Sequence, residues 1–250
     1  MNDRLFRTKE GVWVPAVTAE QMREVDRIAM EEFGLGILQM MENAGRNLAE
    51  NVMDMLGGTS GEVTVLAGSG GNGGGGLCCA RHLHNRGFRV WVVLSKEAAI
   101  LSGAARNQLQ ILQSAGVQPV DPSQAEEVIC RAQIVVDALI GYSLRGTPQG
   151  RAAELIDLCN QHAARVLSLD VPSGLDATTG EAPGPVVHPE RTLTLALPKI
   201  GFQRVPGDLY LADIGIPPEV YHRLGLSFEL PFGERYWIRL ERGPHTPESG

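Results

Sequence analysis

Apolar and polar positions along this 250-residue chain follow two successive periods. From Thr18 to about Gly57 the repeat is helical. Met22, Val25, Ile28 and Ala29 share one face, behind Thr18-Ala19-Glu20-Gln21, which reads as a cap followed by an acid near the first turn. A second helix is predicted from about Gly36 to Met55. Beyond it the pattern becomes strand, loop, helix, repeated. Strands are expected near 62–67, 88–94, 117–120, 133–137, 165–169, 191–197 and 209–213, with helices near 74–86, 100–115, 123–131 and 150–162. Such alternation predicts an α/β fold whose mainly parallel sheet is covered on both faces. Ile134-Val135-Val136 and Val166-Leu167-Ser168-Leu169 are short apolar runs of the kind buried on both sides, so polar residues at their ends stand out.

Composition narrows the class. At 43% hydrophobic and 20% charged, the chain can bury a sizeable core, and one domain over 1–242 is expected, with an N-terminal arm over 1–16 and a disordered tail over 243–250. Twenty-two basic against 29 acidic residues give a net charge of −7, which argues against nucleic acid as a partner. A small phosphorylated ligand remains compatible, because loop amides and a few placed cations can bind it. Cys78, Cys79, Cys130 and Cys159 show no C-x-x-C spacing and read as reduced, structural thiols. Met1 to Glu10 has no apolar signal-like core and no stretch approaches 18 apolar residues, so a cytoplasmic protein without a membrane span is expected.

Seven of the nine residues from Gly68 to Gly76 are glycine, directly after the apolar run Val63 to Ala67 and before a helical pattern. A strand feeding a glycine turn that opens a helix lets backbone N–H groups approach an anionic ligand. Gly68-x-Gly70-x-x-Gly73 formally satisfies the dinucleotide fingerprint, but the acid expected at the next strand end comes late, at Glu97. A Walker-type loop is excluded, since no Lys-Ser/Thr follows. Two further strand ends carry carboxylates, Asp137 and Asp170, to the edge of the sheet where ligands of open α/β sheets bind. Asn72, Asp137 and Ser173 then offer oxygen donors suited to a hard cation, whose identity oxygen donors alone leave open. Ser173 lacks the first glycine of a G-x-S-x-G nucleophile elbow, and no histidine is spaced as its base; His82 and His84 read as surface or capping residues.

Taken in order, these motifs resemble the YjeF N-terminal domain family, the NAD(P)H-hydrate epimerases, over roughly residues 15 to 225. Met40-Met41-Glu42-Asn43-Ala44-Gly45 is similar to the family's Leu-Met-Glu-Asn-Ala-Gly helix, and Gly68 to Gly76 to its glycine-asparagine loop. Asp137-Ala138-Leu139-Ile140-Gly141 with Leu144-Arg145-Gly146 resembles a second loop, and Asp170-Val171-Pro172-Ser173-Gly174-Leu175-Asp176 a third. Pro198-Lys199-x-Gly201 resembles a fourth, and Asp213-Ile214-Gly215-Ile216-Pro217 the closing strand.

The resemblance implies a three-layer α/β/α Rossmann-like fold, a homodimer, a bound potassium ion, and interconversion of the R and S epimers of hydrated NADH or NADPH. It places the ion on Asn72, Asp137 and Ser173. It places the hydrated nucleotide against Gly71, Asn72, Gly73, Gly74 and Gly75, against Gly141, Tyr142, Ser143, Leu144, Arg145, Gly146 and Thr147, and against Asp170. Asp170 is the expected acid/base, and Lys199 and Arg145 the expected phosphate or lid contacts. Where the family usually has asparagine and aspartate, this chain has Gly71 and Gly75, and Tyr142 and Ser143 replace a small residue and a glycine. A catalytically weakened nucleotide-binding or scaffold module is therefore a second reading, and a NAD(P)-dependent oxidoreductase a third.

Overall fold

The computed structural model describes residues 5–58 and 60–243. Its first helix, α1 (Ala19–Arg27), begins as the sequence predicts. The Thr18 hydroxyl accepts from the Gln21 amide at 3.1 Å while Gln21 Oε1 accepts from the Thr18 amide at 2.9 Å, a reciprocal cap. Met22, Val25, Ile28 and Ala29 are all buried, the last two on a short π-helical extension, Ile28–Glu32. Helix α2 (Ile37–Leu56) follows and ends at Gly57, whose φ of +66° is the left-handed closure that glycine permits.

Five parallel pairings build the centre of the sheet: β3 (Glu62–Ala67) with β4 (Arg89–Leu94) and β5 (Ile134–Ala138), then β6 (Val166–Leu169), β7 (Arg191–Leu195) and β8 (Asp208–Ala212) in succession. Antiparallel strands β9 (Trp237–Arg242), β1 (Phe6–Thr8) and β2 (Trp13–Val14) extend one edge, giving the order β2-β1-β9-β8-β7-β6-β5-β3-β4. Helix α2, α3 (Gly71–His84) and α4 (Gly103–Ser114) cover one face through a core that includes Val52, Leu77, Leu109, Val65 and Val136. Helices α5 (Ala125–Arg131) and α6 (Arg151–His162) cover the other against Leu66, Val135 and Val166. Val63, Val65 and Ala67 thus face one layer and Leu66 the other, the period-two alternation of a strand buried on both sides. A short α7 (Pro218–Arg223) packs with α1 on the third core.

This is the expected three-layer α/β/α Rossmann-like arrangement, with differences at its margins. The stretch 117–120 is no strand. It contributes a single bridge from Pro119 to Val92 and one bond from the Val120 amide, because Pro119 has no N–H with which to continue a ladder. The motif Asp213 to Pro217 does not close the sheet: β8 ends at Ala212, and the closing strand is β9. The expected N-terminal arm contains β1 and β2, paired into the sheet edge. Residues 244–250 of the expected tail lie outside the described residues. No helix among the described residues is long and apolar enough to cross a membrane.

Candidate active site

Strand order reverses between β3 and β5, and the carboxyl ends of β3, β5, β6 and β7 meet beside that crevice, where open α/β sheets bind ligands. The helix after β3 starts three residues before the predicted position, so Gly71 to Gly76 form its first turns rather than a loop. Close packing accounts for much of the glycine. A Cβ on Gly73 would lie 1.8 Å from the Gly68 carbonyl oxygen, on Gly74 2.6 Å from Met41 and on Gly76 2.5 Å from Ala138. At Gly70 and Gly71 nothing would be met within 4 Å, so the backbone is open there. No side chain caps the start of α3, leaving its first amides available to an anion.

A cavity of about 230 Å³ lies at this edge. Its walls include Gly71, Asn72 and Gly75 from α3, Gly141, Tyr142 and Ser143 after β5, Asp170 after β6, Lys199 after β7, and Asp26 from α1. That volume is below the ~300–1,000 Å³ usual for drug-sized ligands, so it suits one ring of a larger molecule. Met22, Ile37, Met40, Met41, Leu169 and Ile214 supply its apolar lining. Asn43 holds this wall together: its side-chain amide donates to the Ile214 carbonyl at 3.1 Å, docking the helix motif onto the segment after β8. A wider groove of 960 Å³ at the antiparallel edge is lined by none of the sequence-predicted site residues.

Asp170 is 3% exposed and sits at φ +64°, in the left-handed region. The Val171 amide donates to the Leu169 carbonyl at 2.8 Å across it, which makes a γ-turn of the rarer, positive-φ form. The turn aims the carboxylate across the end of β7. There Lys199 Nζ donates to Asp170 Oδ1 at 2.5 Å, to the Leu195 carbonyl at 3.0 Å and to Thr194 Oγ1 at 3.1 Å. The Tyr142 amide donates to Asp170 Oδ2 at 3.1 Å. Lys199 is wholly buried, which corrects its expected role: an ammonium spent on Asp170, one backbone carbonyl and one threonine hydroxyl is the counter-ion of a buried acid, not a phosphate or lid contact. Its Nζ also stands 5.9 Å from the centroid of the Tyr142 ring.

Asp137 and Ser173 are both 0% exposed and are not among the cavity walls. Ser173 Oγ donates to Asp137 Oδ1 at 2.5 Å, and the Ser173 amide and Ser168 hydroxyl donate to Oδ2 at 2.9 and 2.7 Å. Burial pushes the Asp137 carboxyl up against these bonds, and no side-chain cation is paired with it among the described residues. Asn72 lines the cavity, with Oδ1 3.2 Å from where a Gly141 Cβ would be and Nδ2 buried without a hydrogen-bond partner. Of the remaining predicted residues, Gly73 and Gly74 are buried and Leu144 half-buried, while Arg145, Gly146 and Thr147 are exposed outside the cavity walls. Thr147 instead donates to the Pro183 carbonyl at 3.0 Å.

Asp26 is a wall residue for which the motifs give no signal. Tyr142 Oη donates to its Oδ2 at 2.5 Å, and burial raises its carboxyl above the ordinary value. Outside the cavity, Glu42, Cys78 and His82 bring three metal-ligating side chains together. The Arg81 guanidinium already sits among them, 2.5 Å from Glu42 and 3.3 Å from Cys78 Sγ, so the group is an ion-pair network tying α2 to α3. His82, 2.8 Å from Glu42 Oε1, belongs to that network and is not a free surface residue.

An open α/β sheet with a one-ring cavity and a buried carboxylate–ammonium pair beside its switch point defines a Rossmann-like protein with room for part of a small molecule. The sequence pattern of the YjeF-related protein N-terminus matches residues 37–201. The chain is 51% identical over 239 residues to the NAD(P)H-hydrate epimerase of Dehalogenimonas lykanthroporepellens, covering 94% of this chain and 96% of the relative. It is 34% identical over 225 residues to the enzyme of the same name from Rhodopirellula baltica, covering 87% and 91%. The chain belongs to the YjeF-related N-terminus family. The crystal structure of yeast ynu0 shares its fold, with a TM-score of 0.81 at 23% identity, covering 90% of this chain and all of that one.

Proposed function

We propose that this protein is a NAD(P)H-hydrate epimerase, interconverting the R and S forms of hydrated NADH and NADPH, with potassium held by Asn72, Asp137 and Ser173. The observation that carries the activity is the 51% identity to a relative of that name along nearly the whole of both chains. Asp170 is the acid/base of the reading, since its carboxylate lines a cavity suited to one ring and is held by Lys199. The open amides at the start of α3 support the phosphates, and Gly71, Gly75 and Gly141 let the nucleotide approach the backbone.

Support for the ion comes from charge. The chain supplies a lysine to one buried carboxylate, Asp170, and no side-chain cation to the other, Asp137. Oxygen donors around a buried negative charge suit a hard cation. Bound there, potassium would supply fixed positive charge beside the Asp137 carboxylate.

Purified protein given the R epimer should form the S epimer faster than the spontaneous reaction. Folded protein in potassium buffer that gives no acceleration refutes the reading. Gly71 and Gly75, standing where the family usually has asparagine and aspartate, favour a second reading, a weakened binding module. A Cβ at Gly75 would meet only Leu169 Cδ2, at 2.8 Å, the movable end of a side chain. Gly75→Asp can therefore be accommodated. A large gain from near-zero turnover supports the weakened module, and little change supports an enzyme that tolerates glycine.

A further inference from the structure

We propose that Asp26 is a second proton-transfer residue of this cavity, working on the same substrate as Asp170. The inference rests on the epimerase reading of the site. Inverting a carbon that bears a hydroxyl without net change needs a group that gives a proton and one that takes it. The cavity holds two carboxyl groups in contrasting surroundings, and such pairs mark acid and base assignments. Asp170 has the buried ammonium of Lys199 at 2.5 Å. Asp26 lies beside Met22 on the inward face of α1 and makes no ion pair among the described residues; its close partner is the neutral phenol of Tyr142.

Tyr142 joins the two, its amide on Asp170 Oδ2 at 3.1 Å and its hydroxyl on Asp26 Oδ2 at 2.5 Å. The tyrosine itself is no base. Burial, with Asp26 and Asp170 nearby, pushes its phenol far up, so it stays a donor. The charged and titratable groups acting on this corner are Lys199 and Asp170 at the strand ends, Arg23 one turn earlier on α1, and Tyr221 on α7. Lys199 and the Tyr142 hydrogen bond pull the Asp26 carboxyl down and Asp170 pushes it up, but burial is the largest influence and the net direction is upward. A carboxyl with a raised pKa keeps more of its acid form near neutral pH.

In the hydrated nicotinamide ring the hydroxyl-bearing carbon is bonded to the ring nitrogen. Asp26 gives its proton to that hydroxyl as the C–O bond breaks. The electron pair of that bond leaves with the water formed, and the nitrogen lone pair forms a C=N bond in the cationic ring. Water then adds to the opposite face, the C=N pair returns to nitrogen, and the released proton passes to Asp170. The product differs only in configuration, and the two carboxyls have exchanged one proton. The reverse turnover runs with their roles exchanged, or solvent exchange restores them.

The test compares wild type, Asp26→Asn and Tyr142→Phe in epimerisation from pH 5 to 9, with thermal melts and substrate KM for each. Asp26→Asn is expected to lower kcat by roughly 10²–10³-fold, to leave KM within about threefold, and to abolish the fall in kcat with rising pH. That limb belongs to a group required in its acid form, whose population declines as pH passes its raised pKa. Tyr142→Phe, which removes only the hydroxyl bond, is expected to shift the limb without abolishing it. An active wild type beside an equally active Asp26→Asn overturns the assignment alone, as does an unshifted limb in Tyr142→Phe. A folded wild type without activity overturns the reading of the site and this assignment with it.

Discussion

Replacing Lys199 with methionine keeps most of the buried stem and removes one charge. The residue is wholly buried and its ammonium makes three contacts, the shortest 2.5 Å to Asp170. Lys199→Met leaves Asp170, 3% exposed, with only the Tyr142 amide at 3.1 Å and the Leu195 amide at 3.4 Å. Stranding one member of a buried pair costs about 3–5 kcal/mol. For a chain of this size that corresponds to a fall in Tm of roughly 6–20 °C. The double variant Asp170→Asn/Lys199→Met strands no charge, so it should recover much of the loss, and asparagine tolerates the left-handed backbone at this position. Thermal melts and urea unfolding at pH 7, both followed by circular dichroism, read the loss in the single variant and its recovery in the double. A loss below about 1 kcal/mol at pH 7, or additive single and double variants, would refute a coupled buried pair.

Three further outcomes are expected. Cys130 is exposed while Cys78, Cys79 and Cys159 are buried, with burial and Glu42 pushing the Cys78 thiol up to about 12. An aromatic disulfide reagent at pH 8 should therefore titrate one thiol quickly in the native protein and four after denaturation, and a second fast thiol would contradict the packing of α3. Gly45→Ala would place a Cβ 2.5 Å from Cys78 Sγ and 3.0 Å from the Cys79 amide, where α2 crosses α3; a loss of about 1–3 kcal/mol in a denaturant melt is expected, and an unchanged midpoint would show that the helices yield. Exchanging potassium for tetramethylammonium at constant ionic strength should lower Tm, by the equivalent of about 2.7 kcal/mol if potassium was at 100 times its Kd. Asp137→Asn should erase that difference, and equal melting in both salts would remove the ion from Asp137.

The legible parts of the sequence were those governed by one period or one strand end. Met22, Val25, Ile28 and Ala29 gave α1 its buried face, and short apolar runs placed β5 and β6 with Asp137 and Asp170 at their ends. Strands β1 and β2 are three residues or fewer and carry too few alternating positions to rise above a loop, whereas β9 alternates over six residues, Ile238 and Leu240 inward, and was within reach of the period-two rule. The glycine run misled in its boundary because glycine is unfavourable inside helices, whereas close approach by Met41, Ala138 and the Gly68 carbonyl outweighs that cost here. Two residues of the cavity wall had quieter signals. Asp26 falls four residues after Met22 on the apolar face of α1, a lone acid where the period calls for a hydrophobe. Lys199 is the single charge between Thr192 and Phe202, and a cation in such a run needs a buried partner.

That partnership depends on backbone that no period encodes. Adjacent strands β6 and β7 end in the same device, a γ-turn centred on Asp170 at φ +64° and another centred on Ala196 at φ +63°. In each the central residue still donates to the neighbouring strand, Asp170 to the Leu193 carbonyl at 2.8 Å and Ala196 to the Ala212 carbonyl at 3.1 Å. The strands thus remain paired up to the point where they turn. The first turn throws the Asp170 carboxylate over the end of β7. The second folds the chain so that Lys199 Nζ reaches back to the Leu195 carbonyl and Thr194 hydroxyl of the strand it has just left. Left-handed backbone costs a residue with a Cβ roughly 1–2 kcal/mol, and the buried ion pair joining the two turns offsets that cost only when both charges are present. The pair and the turns are therefore one unit. A change at Lys199 should disturb the aim of Asp170 as well as its charge, and methyl resonances of Ala196 should move in Lys199→Met and return in the double variant. Unchanged Ala196 resonances would separate the turns from the pair.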